Sequence, residues 1–165
     1  MIKYLSTDPW SIVEEGFHVE LQRSSESIFS LGNGKFGQRA NHEEKFSGKT
    51  LQGSYVAGVY YPDKTRVGWW KNGYPEYFAK VLNSAFWVGI DVTINGEEFD
   101  LNTWTTEDFR RELNMKEGIL KRSCVATSPK GTKVQLHAER FCSLANDDVA
   151  AIRYSVTPLN GAAEI

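Results

Sequence analysis

The sequence predicts an all-β protein, built as an antiparallel sandwich. Segments rich in β-branched and aromatic residues recur at short intervals along the 165 residues, and turn residues bound each of them. Val134, Leu136 and Ala138 alternate with polar residues, as in a strand with one buried face. Asn-Gly pairs, which favour tight hairpin turns, occur four times, at 33–34, 72–73, 95–96 and 160–161.

This pattern predicts six strands, at 54–61, 86–94, 97–101, 118–127, 132–141 and 149–157. The strongest hairpin signal is Asn95-Gly96, between the second and third of these segments. No repeat or low-complexity linker divides the chain, so we expect residues 1–165 to form a single domain. Because another turn signal stands at 160–161, the expected sandwich is cut short at its C-terminal end.

One segment, 105–118, leaves two structures open. Phe109 and Leu113 are four residues apart, as on one face of a short helix that Thr105 or Thr106 would cap. Phe109, Arg111, Leu113 and Met115 also fall at alternate positions, as in a strand. The residues alone favour neither structure.

Composition excludes several classes of function. The formal charge of −2 and the isoelectric point near 5.9 do not suit a nucleic-acid surface. The chain has neither the apolar core of a signal peptide near its N-terminus nor a run of about 18 apolar residues that would span a membrane. Cys124 and Cys142 fall far apart on the predicted hairpin of 118–127 and 132–141. We therefore expect two separate buried thiols and a cytoplasmic protein.

Gly32, Gly34 and Gly37 form the pattern G-x-G-x-x-G, which in dinucleotide-binding proteins cradles a pyrophosphate. That role requires a buried apolar strand before the motif and a helix after it. The preceding residues 22–31 are largely polar, and no helical apolar period follows. We therefore interpret Gly32, Asn33 and Gly34 as a structural turn, with a type I′ hairpin over Asn33-Gly34.

Four pairs of adjacent acidic residues resemble the carboxylates of glycoside hydrolysis: Glu14-Glu15, Glu43-Glu44, Glu97-Glu98 and Asp147-Asp148. That chemistry needs two carboxyl groups facing each other across a sugar, whereas adjacent residues of a strand point to opposite faces. We expect each pair to be solvated surface charge. His18, His42 and His137 lack a second ligand at metal-binding spacing, and we expect no metal site.

An aromatic block between Tyr60 and Trp87 is the strongest candidate for a binding surface. Pro62, Gly68, Asn72-Gly73 and Pro75 interrupt every possible ladder, so residues 62–80 should form a long excursion from the sandwich. Its aromatic side chains suit contact with a sugar or a protein interface, although ordinary loop packing is also open. The candidate residues are Trp69, Trp70, Tyr74 and Tyr77.

Five colinear segments resemble the N-terminal domain of glycoside hydrolase family 65, which includes maltose, kojibiose and trehalose phosphorylases. They are ESIFSLGNGKFGQR (26–39), TLQGSYVAGVYY (50–61), KVLNSAFWVGIDVTINGEEFDL (80–101), DFRRELNMKEGILKRS (108–123) and AERFCSLANDDVAAIRYSVTPLN (138–160). The resemblance implies a β-supersandwich of the galactose-mutarotase type and favours a strand at 108–115. The block 62–80 looks like the maltose and kojibiose phosphorylase branch.

The resemblance also implies a separate (α/α)₆ catalytic barrel that this chain lacks. In such enzymes a glutamate of the barrel is the general acid, and inorganic phosphate attacks an α-glucoside with inversion, without a metal or organic cofactor. No catalytic residue is therefore assigned to residues 1–165, which we expect to be inactive alone. The implied partners are the barrel of the same polypeptide, a second subunit of a homodimer and α-glucoside sugars. The alternative is an independent carbohydrate-binding module.

Overall fold

The computed structural model describes residues 4–66 and 73–165, and antiparallel strands dominate it. With strands numbered in chain order, one six-stranded sheet has the spatial order β1 (Leu5–Thr7), β2 (Ser11–Glu15), β10 (Thr105–Asn114), β11 (Ile119–Thr127), β12 (Lys133–Cys142), β13 (Ala150–Pro158). This sheet contains the predicted strands at 118–127, 132–141 and 149–157, and it confirms the all-β prediction.

Short elements make up the rest of the fold, and those that contain Phe29, Ala40 and Phe99 pack on the inner face of this sheet. Three small antiparallel sheets contain β3 (Leu31–Gly32), β4 (Phe36–Gln38) and β5 (Ser54–Val56); β6 (Tyr60–Lys64) and β7 (Tyr77–Val81); and β8 (Thr93–Ile94) and β9 (Glu97–Glu98). Within the described ranges the one α-helix, α1, is Gln22–Ile28, and the 3₁₀ turn Val19–Leu21 precedes it. No helix there is long and apolar enough to cross a membrane.

The segment whose structure the residues left open is strand β10. Phe109, Arg111 and Leu113 are buried on one face of it, so the alternating pattern describes this segment correctly. A bulge between Glu107 and Arg110, where Asp108 has a φ of +50°, bends the strand locally.

Three predicted strands are shorter or divided, and 97–101 is reduced to β9 (Glu97–Glu98). The segment 54–61 forms β5 and β6, separated by a turn at Gly58 with a φ of +85°. Most of 86–94 is a loop. Ala85, just before it, has a φ of +58°, and Val88 is buried without strand pairing. Asn95 and Gly96 both have positive φ, at +51° and +73°, as the predicted tight hairpin requires.

Two apolar clusters lie between the layers. The larger cluster joins loop and hairpin residues to the second half of β11 and the first half of β12. Its members include Phe99, Trp104, Cys124 and Leu136. The smaller joins Phe29 and Ala40 to Leu113 and Leu120. The prediction of two separate buried thiols is confirmed, since Cys124 and Cys142 are both buried and free.

Candidate functional site

Strands β6 and β7 form a two-stranded ribbon that we call the arm, described here as residues 60–66 and 73–81. Its register pairs Tyr60 with Val81 and Lys64 with Tyr77. Nine of the ten strand residues are exposed, including Tyr60 (56%), Tyr61 (58%) and Val81 (64%). The arm therefore presents large apolar side chains to solvent, which is typical of binding surfaces.

The arm has two chemically different faces, because directly paired residues of antiparallel strands point to the same side. The apolar face consists of Tyr60, Pro62, Tyr77, Ala79 and Val81, with Lys64 at its end. The mixed face consists of Tyr61, Asp63, Phe78 and Lys80, and an ion pair of 3.6 Å joins Lys80 Nζ to Asp63 Oδ2.

Polar side chains hold the base of the arm to strand β5. The amide of Ser54 donates to Asn83 Oδ1 (2.9 Å), and Asn83 Nδ2 donates to the carbonyl of Gln52 (2.7 Å). The Ser54 hydroxyl donates to the carbonyl of Ala85 (2.7 Å), where the chain turns with positive φ. These bonds fix where the ribbon leaves the domain.

Of the four aromatic candidates, Trp69 and Trp70 lie outside the described residues. Tyr74 and Tyr77 are each 51% exposed, and Tyr77 lies on the apolar face. The structure therefore places Tyr77 on the same face of the ribbon as Tyr60, at its other end, and Tyr60 is not among the four candidates. Its signal was present in the adjacent Tyr60-Tyr61 pair, since neighbours in a strand face opposite sides.

The glycine motif lies in a β-hairpin, with Gly32 paired to Gly37 and the following strand β4 paired to β5. The Asn33 amide donates to the carbonyl of Phe36 (3.1 Å), and Gly34 has a φ of +89°. The expected type I′ turn over Asn33-Gly34 is wrong: the turn is centred on Gly34-Lys35, because the Asn33 side chain accepts from the Lys35 and Phe36 amides.

This glycine hairpin (residues 31–38) is fastened to the turn between β12 and β13. Asn33 Nδ2 donates to the carbonyls of Ser143 (2.8 Å) and Asp147 (3.2 Å). Lys35 Nζ lies 2.5 Å from Asp148 Oδ1, and this contact raises the pKa of Lys35. Asp147 and Asp148 are exposed, as expected of solvated charge.

A row of charged residues crosses the inner face of the large sheet between the two apolar clusters. In register, Glu14, Arg111, Arg122, Ala138 and Tyr154 face inward from five neighbouring strands. The opposite layer and the next row supply the remaining members. We call the set the ionic belt: Glu14, Gln22, His42, Glu43, Glu44, Arg111, Arg122, Arg140 and Tyr154.

Arg122 is the centre of the belt. Its guanidinium binds both oxygens of Glu44, at 2.7 and 2.6 Å, and donates to Glu43 at 2.5 Å. Arg140 Nη1 lies 3.0 Å from Glu43 Oε1, and the Tyr154 hydroxyl donates to Glu44 Oε2 at 3.1 Å. Because these side chains are no more than partly exposed and mutually paired, their charges offset one another inside the fold.

Gln22 links the second half of the belt. Its Oε1 accepts from Arg111 Nη2 (2.9 Å), so His42 Nε2, 3.0 Å away, is a donor to the same oxygen. Arg111 Nη1 also lies 3.4 Å from Glu14 Oε2, and the Ser25 hydroxyl donates to Glu14 Oε1 (3.1 Å). Helix α1 is thereby held to the sheet through polar contacts.

Burial and neighbouring charge set the protonation states of the belt. Burial lowers the pKa of His42 to about 4, and Arg122 acts in the same direction. Burial opposes ionisation of Glu44 and Glu43, but Arg122 and the other favourable charges and hydrogen bonds together outweigh it and lower the pKa of both. Burial raises the pKa of Glu14, with Arg111 opposing. Glu43 and Glu44 are thus held as anions by arginine.

The expectation that Glu43-Glu44 and Glu14-Glu15 are solvated pairs is wrong for three of these residues. Glu14, Glu43 and Glu44 are buried, and only Glu15 is exposed. Glu44 is enclosed by Arg122, His42 and Tyr154, which leaves no sugar-sized space between facing carboxyl groups. Within residues 4–66 and 73–165, no cluster of three or more His, Cys, Asp or Glu side chains has the arrangement of a metal site.

Comparisons with known proteins all indicate the same family. Residues 12–165 match the family "Glycosyl hydrolase family 65, N-terminal domain". The chain is 51% identical over 158 residues to maltose phosphorylase of Bacillus subtilis, covering 96% of this chain and 21% of that protein. It is 36% identical over 151 residues to kojibiose phosphorylase of Halothermothrix orenii, covering 92% of this chain and 18% of that protein.

A solved structure titled "Putative kojibiose phosphorylase from human microbiome" has the same fold. It superposes with a TM-score of 0.83 at 32% identity, over 94% of this chain and 20% of that one. The chain therefore spans about one fifth of the length of these relatives, and the match covers nearly all of its own residues.

Proposed function

Because the chain belongs to the N-terminal domain family of glycosyl hydrolase family 65, we propose that it is the non-catalytic N-terminal domain of an inverting disaccharide phosphorylase. Maltose is the first candidate substrate. The observation that carries this choice is the 51% identity to maltose phosphorylase of Bacillus subtilis along 96% of the chain. Kojibiose is the second candidate, supported by the lower identity of 36% to a kojibiose phosphorylase.

The ionic belt supports the non-catalytic part of this proposal. A general acid must reach the glycosidic oxygen, and an inverting enzyme must leave room between acid and nucleophile. The buried carboxylates Glu43 and Glu44 are instead occupied by Arg122 and Arg140. We assign the general acid and the binding of inorganic phosphate to the part of the relatives that this chain does not cover.

In the whole protein we propose that the domain contacts the catalytic barrel and that the enzyme is a homodimer acting in the cytoplasm. The free, buried Cys124 and Cys142 suit a reducing compartment. Inorganic phosphate is the proposed co-substrate, with no further cofactor. Attack by phosphate with inversion converts an α-glucoside to β-glucose 1-phosphate and releases the second sugar.

A chimera tests the proposed function. The aligned fifth of Bacillus subtilis maltose phosphorylase is replaced by residues 1–165, and phosphorolysis of maltose, kojibiose and trehalose is measured. We expect β-glucose 1-phosphate from maltose, because the domain meets a closely related partner surface. The isolated chain should release no sugar phosphate and no glucose. Turnover by the isolated chain, or a chimera that folds but degrades none of the three sugars, would contradict the proposal.

The same chain, without the barrel, tests the alternative of an independent carbohydrate-binding module. Calorimetric titration of residues 1–165 with maltose should show no saturable binding. Saturable binding that Tyr77→Ser abolishes would favour the module, because Tyr77 is the exposed aromatic candidate whose face is described.

A further inference from the structure

The apolar face of the arm continues into a groove on the body of the domain. The groove has a volume of about 470 Å³ and lies between the arm, strand β5 and the glycine hairpin. Tyr60, Ala79 and Val81 line it, and all three belong to the apolar face. No residue of the mixed face lines the groove, so register and cavity independently identify the same side of the arm.

The other walls of the groove are also predominantly apolar. Phe36, Tyr55, Val56 and Val59 are among the lining residues, and the rest of the lining comes mainly from glycine and alanine. The charged member, Lys35, is directed to Asp147 and Asp148 by ion pairs. A sugar site requires several polar groups placed for hydroxyls, whereas the described lining of this groove is mainly apolar. An apolar protein surface fits it better.

A two-stranded ribbon is marginally stable in water when neither of its faces is covered. The arm nevertheless carries exposed tyrosine and valine side chains on one continuous side. The relatives are about five times as long as this chain, since it covers 18–21% of them. Packing of that additional polypeptide on the arm would bury this apolar surface.

We propose that the apolar face and the groove together form the docking surface for the remaining polypeptide of the full-length enzyme, which inserts aliphatic or aromatic side chains there. The mixed face stays in solvent, where the ion pair between Asp63 and Lys80 keeps it hydrated. This inference rests on the proposed function, because it takes the partner surface from the phosphorylase relatives.

Adjacent residues of the arm provide a matched test. Tyr60 and Tyr61 have the same side chain and nearly the same exposure, 56% and 58%, but lie on opposite faces. Each is replaced by Ser in the chimera with Bacillus subtilis maltose phosphorylase. Val81→Ser on the apolar face and Lys80→Ser on the mixed face form a second matched pair.

Trypsin cleavage after Lys64 and Lys80 reports whether the arm is covered. We expect slow cleavage in the unmodified chimera and fast cleavage in the isolated chain. Tyr60→Ser and Val81→Ser should accelerate cleavage of the chimera about tenfold or more after Lys64, whereas Tyr61→Ser should change it by less than about twofold. Lys80→Ser removes one site and is scored at Lys64 alone. The sedimentation coefficient should stay unchanged in all four variants.

Three results would overturn the proposal. Equal acceleration by Tyr60→Ser and Tyr61→Ser would show that the faces are equivalent. Loss of protection together with dissociation of a dimer would identify a second subunit as the occupant. An increase in the KM for maltose without a change in cleavage would assign the surface to sugar. An inactive chimera with a protected arm would contradict the proposed function while supporting the docking surface.

Discussion

The ionic belt buries charged side chains, which ordinarily lie in solvent. The arm exposes apolar side chains, which are ordinarily buried. The belt holds three arginines and three glutamates within the fold, including Arg111 at 1% and Glu14 at 0% exposure. The arm holds tyrosine, phenylalanine and valine in solvent. The belt satisfies most of its charges from within the domain, whereas the described residues leave the apolar side chains of the arm largely uncovered.

This difference separates structural from interacting residues better than residue type does. Paired glutamates in a protein related to sugar-cleaving enzymes suggest catalysis. The carboxylates of Glu43 and Glu44, however, already bind arginine side chains. Exposed aromatic side chains on a ribbon suggest loop packing, but the described residues of this domain leave the apolar face largely exposed. The belt is therefore satisfied within the fold, and the arm is the proposed docking surface.

The largest expected effect comes from removing the centre of the belt. Arg122→Met leaves Glu43 and Glu44 without their strongest partner inside the fold. We expect the free energy of unfolding to fall by about 3–5 kcal/mol, as for other broken buried ion pairs. Urea denaturation of residues 1–165 measures it.

Lys121→Met is the matched control for this substitution. Lys121 precedes Arg122 on β11, points to the outer face and has a side chain 42% exposed. Its replacement should change the free energy of unfolding by less than about 0.5 kcal/mol. Similar losses for both variants would mean that the belt contributes no more than surface charge.

Acid should destabilise the domain through His42. The ordinary pKa is 6.5 and burial lowers it to about 4, so between these values the unfolded chain binds a proton that the folded chain does not. The free energy of unfolding should therefore decrease as pH falls from about 6.5 to 4, by roughly 2–3 kcal/mol from this group. Below that range, protonation of Glu43 and Glu44, whose pKa values are lowered, adds to the loss.

Urea denaturation across this pH range checks the prediction. His42→Gln should flatten the slope between pH 6.5 and 4, whereas the exposed His137→Gln should leave it unchanged. A slope that persists in His42→Gln would assign the acid sensitivity to another group.

The large sheet could be predicted because its pattern is local. Strands β11, β12 and β13 have alternating patterns and turn residues at their ends, and each observed bound differs from the predicted one by at most one residue. The same alternating pattern also indicates the arginines of the belt. Arg111, Arg122 and Arg140 each occupy the inward phase of an apolar alternation, which is a readable sign of buried charge.

Helix α1 could not be found from apolar periodicity, because its buried face is polar. Gln22, Ser25 and Glu26 are each 0% exposed and lie at helical spacing, yet none is apolar. Ser25 binds Glu14, Gln22 joins His42 to Arg111, and Glu26 accepts from the amide of Leu51 (2.8 Å). Those partners come from distant segments, so tertiary contacts decide the helix.

A backbone change in the glycine hairpin should have an intermediate effect. Gly34 has a φ of +89°, and a Cβ there would meet no atom within 4 Å, so the cost of Gly34→Val is conformational alone. We expect a loss of about 1–3 kcal/mol in the free energy of unfolding. Gly37→Ala, where the Cβ would lie 3.9 Å from Tyr55 Cβ, should cost little.

The hairpin variants also test the rejected nucleotide site. Residues 1–165 should bind neither NAD nor ATP in calorimetric titration. Micromolar affinity that Gly34→Val abolishes would restore the phosphate-cradle interpretation of Gly32, Gly34 and Gly37.

Substitutions in the arm should have the smallest effect on the isolated chain. Tyr60→Ser removes a side chain that is 56% exposed, and we expect a change below about 0.5 kcal/mol in the free energy of unfolding. Replacing Trp69 and Trp70 by Ala should behave similarly in the fragment and weaken docking, dimerisation or substrate affinity only in the full-length enzyme. A large loss in the fragment would identify these rings as ordinary core.

Hydrogen exchange tests the contrast between the two regions most directly. Amide exchange is followed by mass spectrometry in the isolated chain and in the chimera with Bacillus subtilis maltose phosphorylase. The strands that carry Arg111, Arg122 and Arg140 should exchange slowly in both proteins, because the belt is complete within the domain. Amides of Tyr60–Lys64 and Tyr77–Val81 should exchange rapidly in the isolated chain and slowly in the chimera. Equal protection of the arm in both proteins, or belt strands that become protected only in the chimera, would contradict this account.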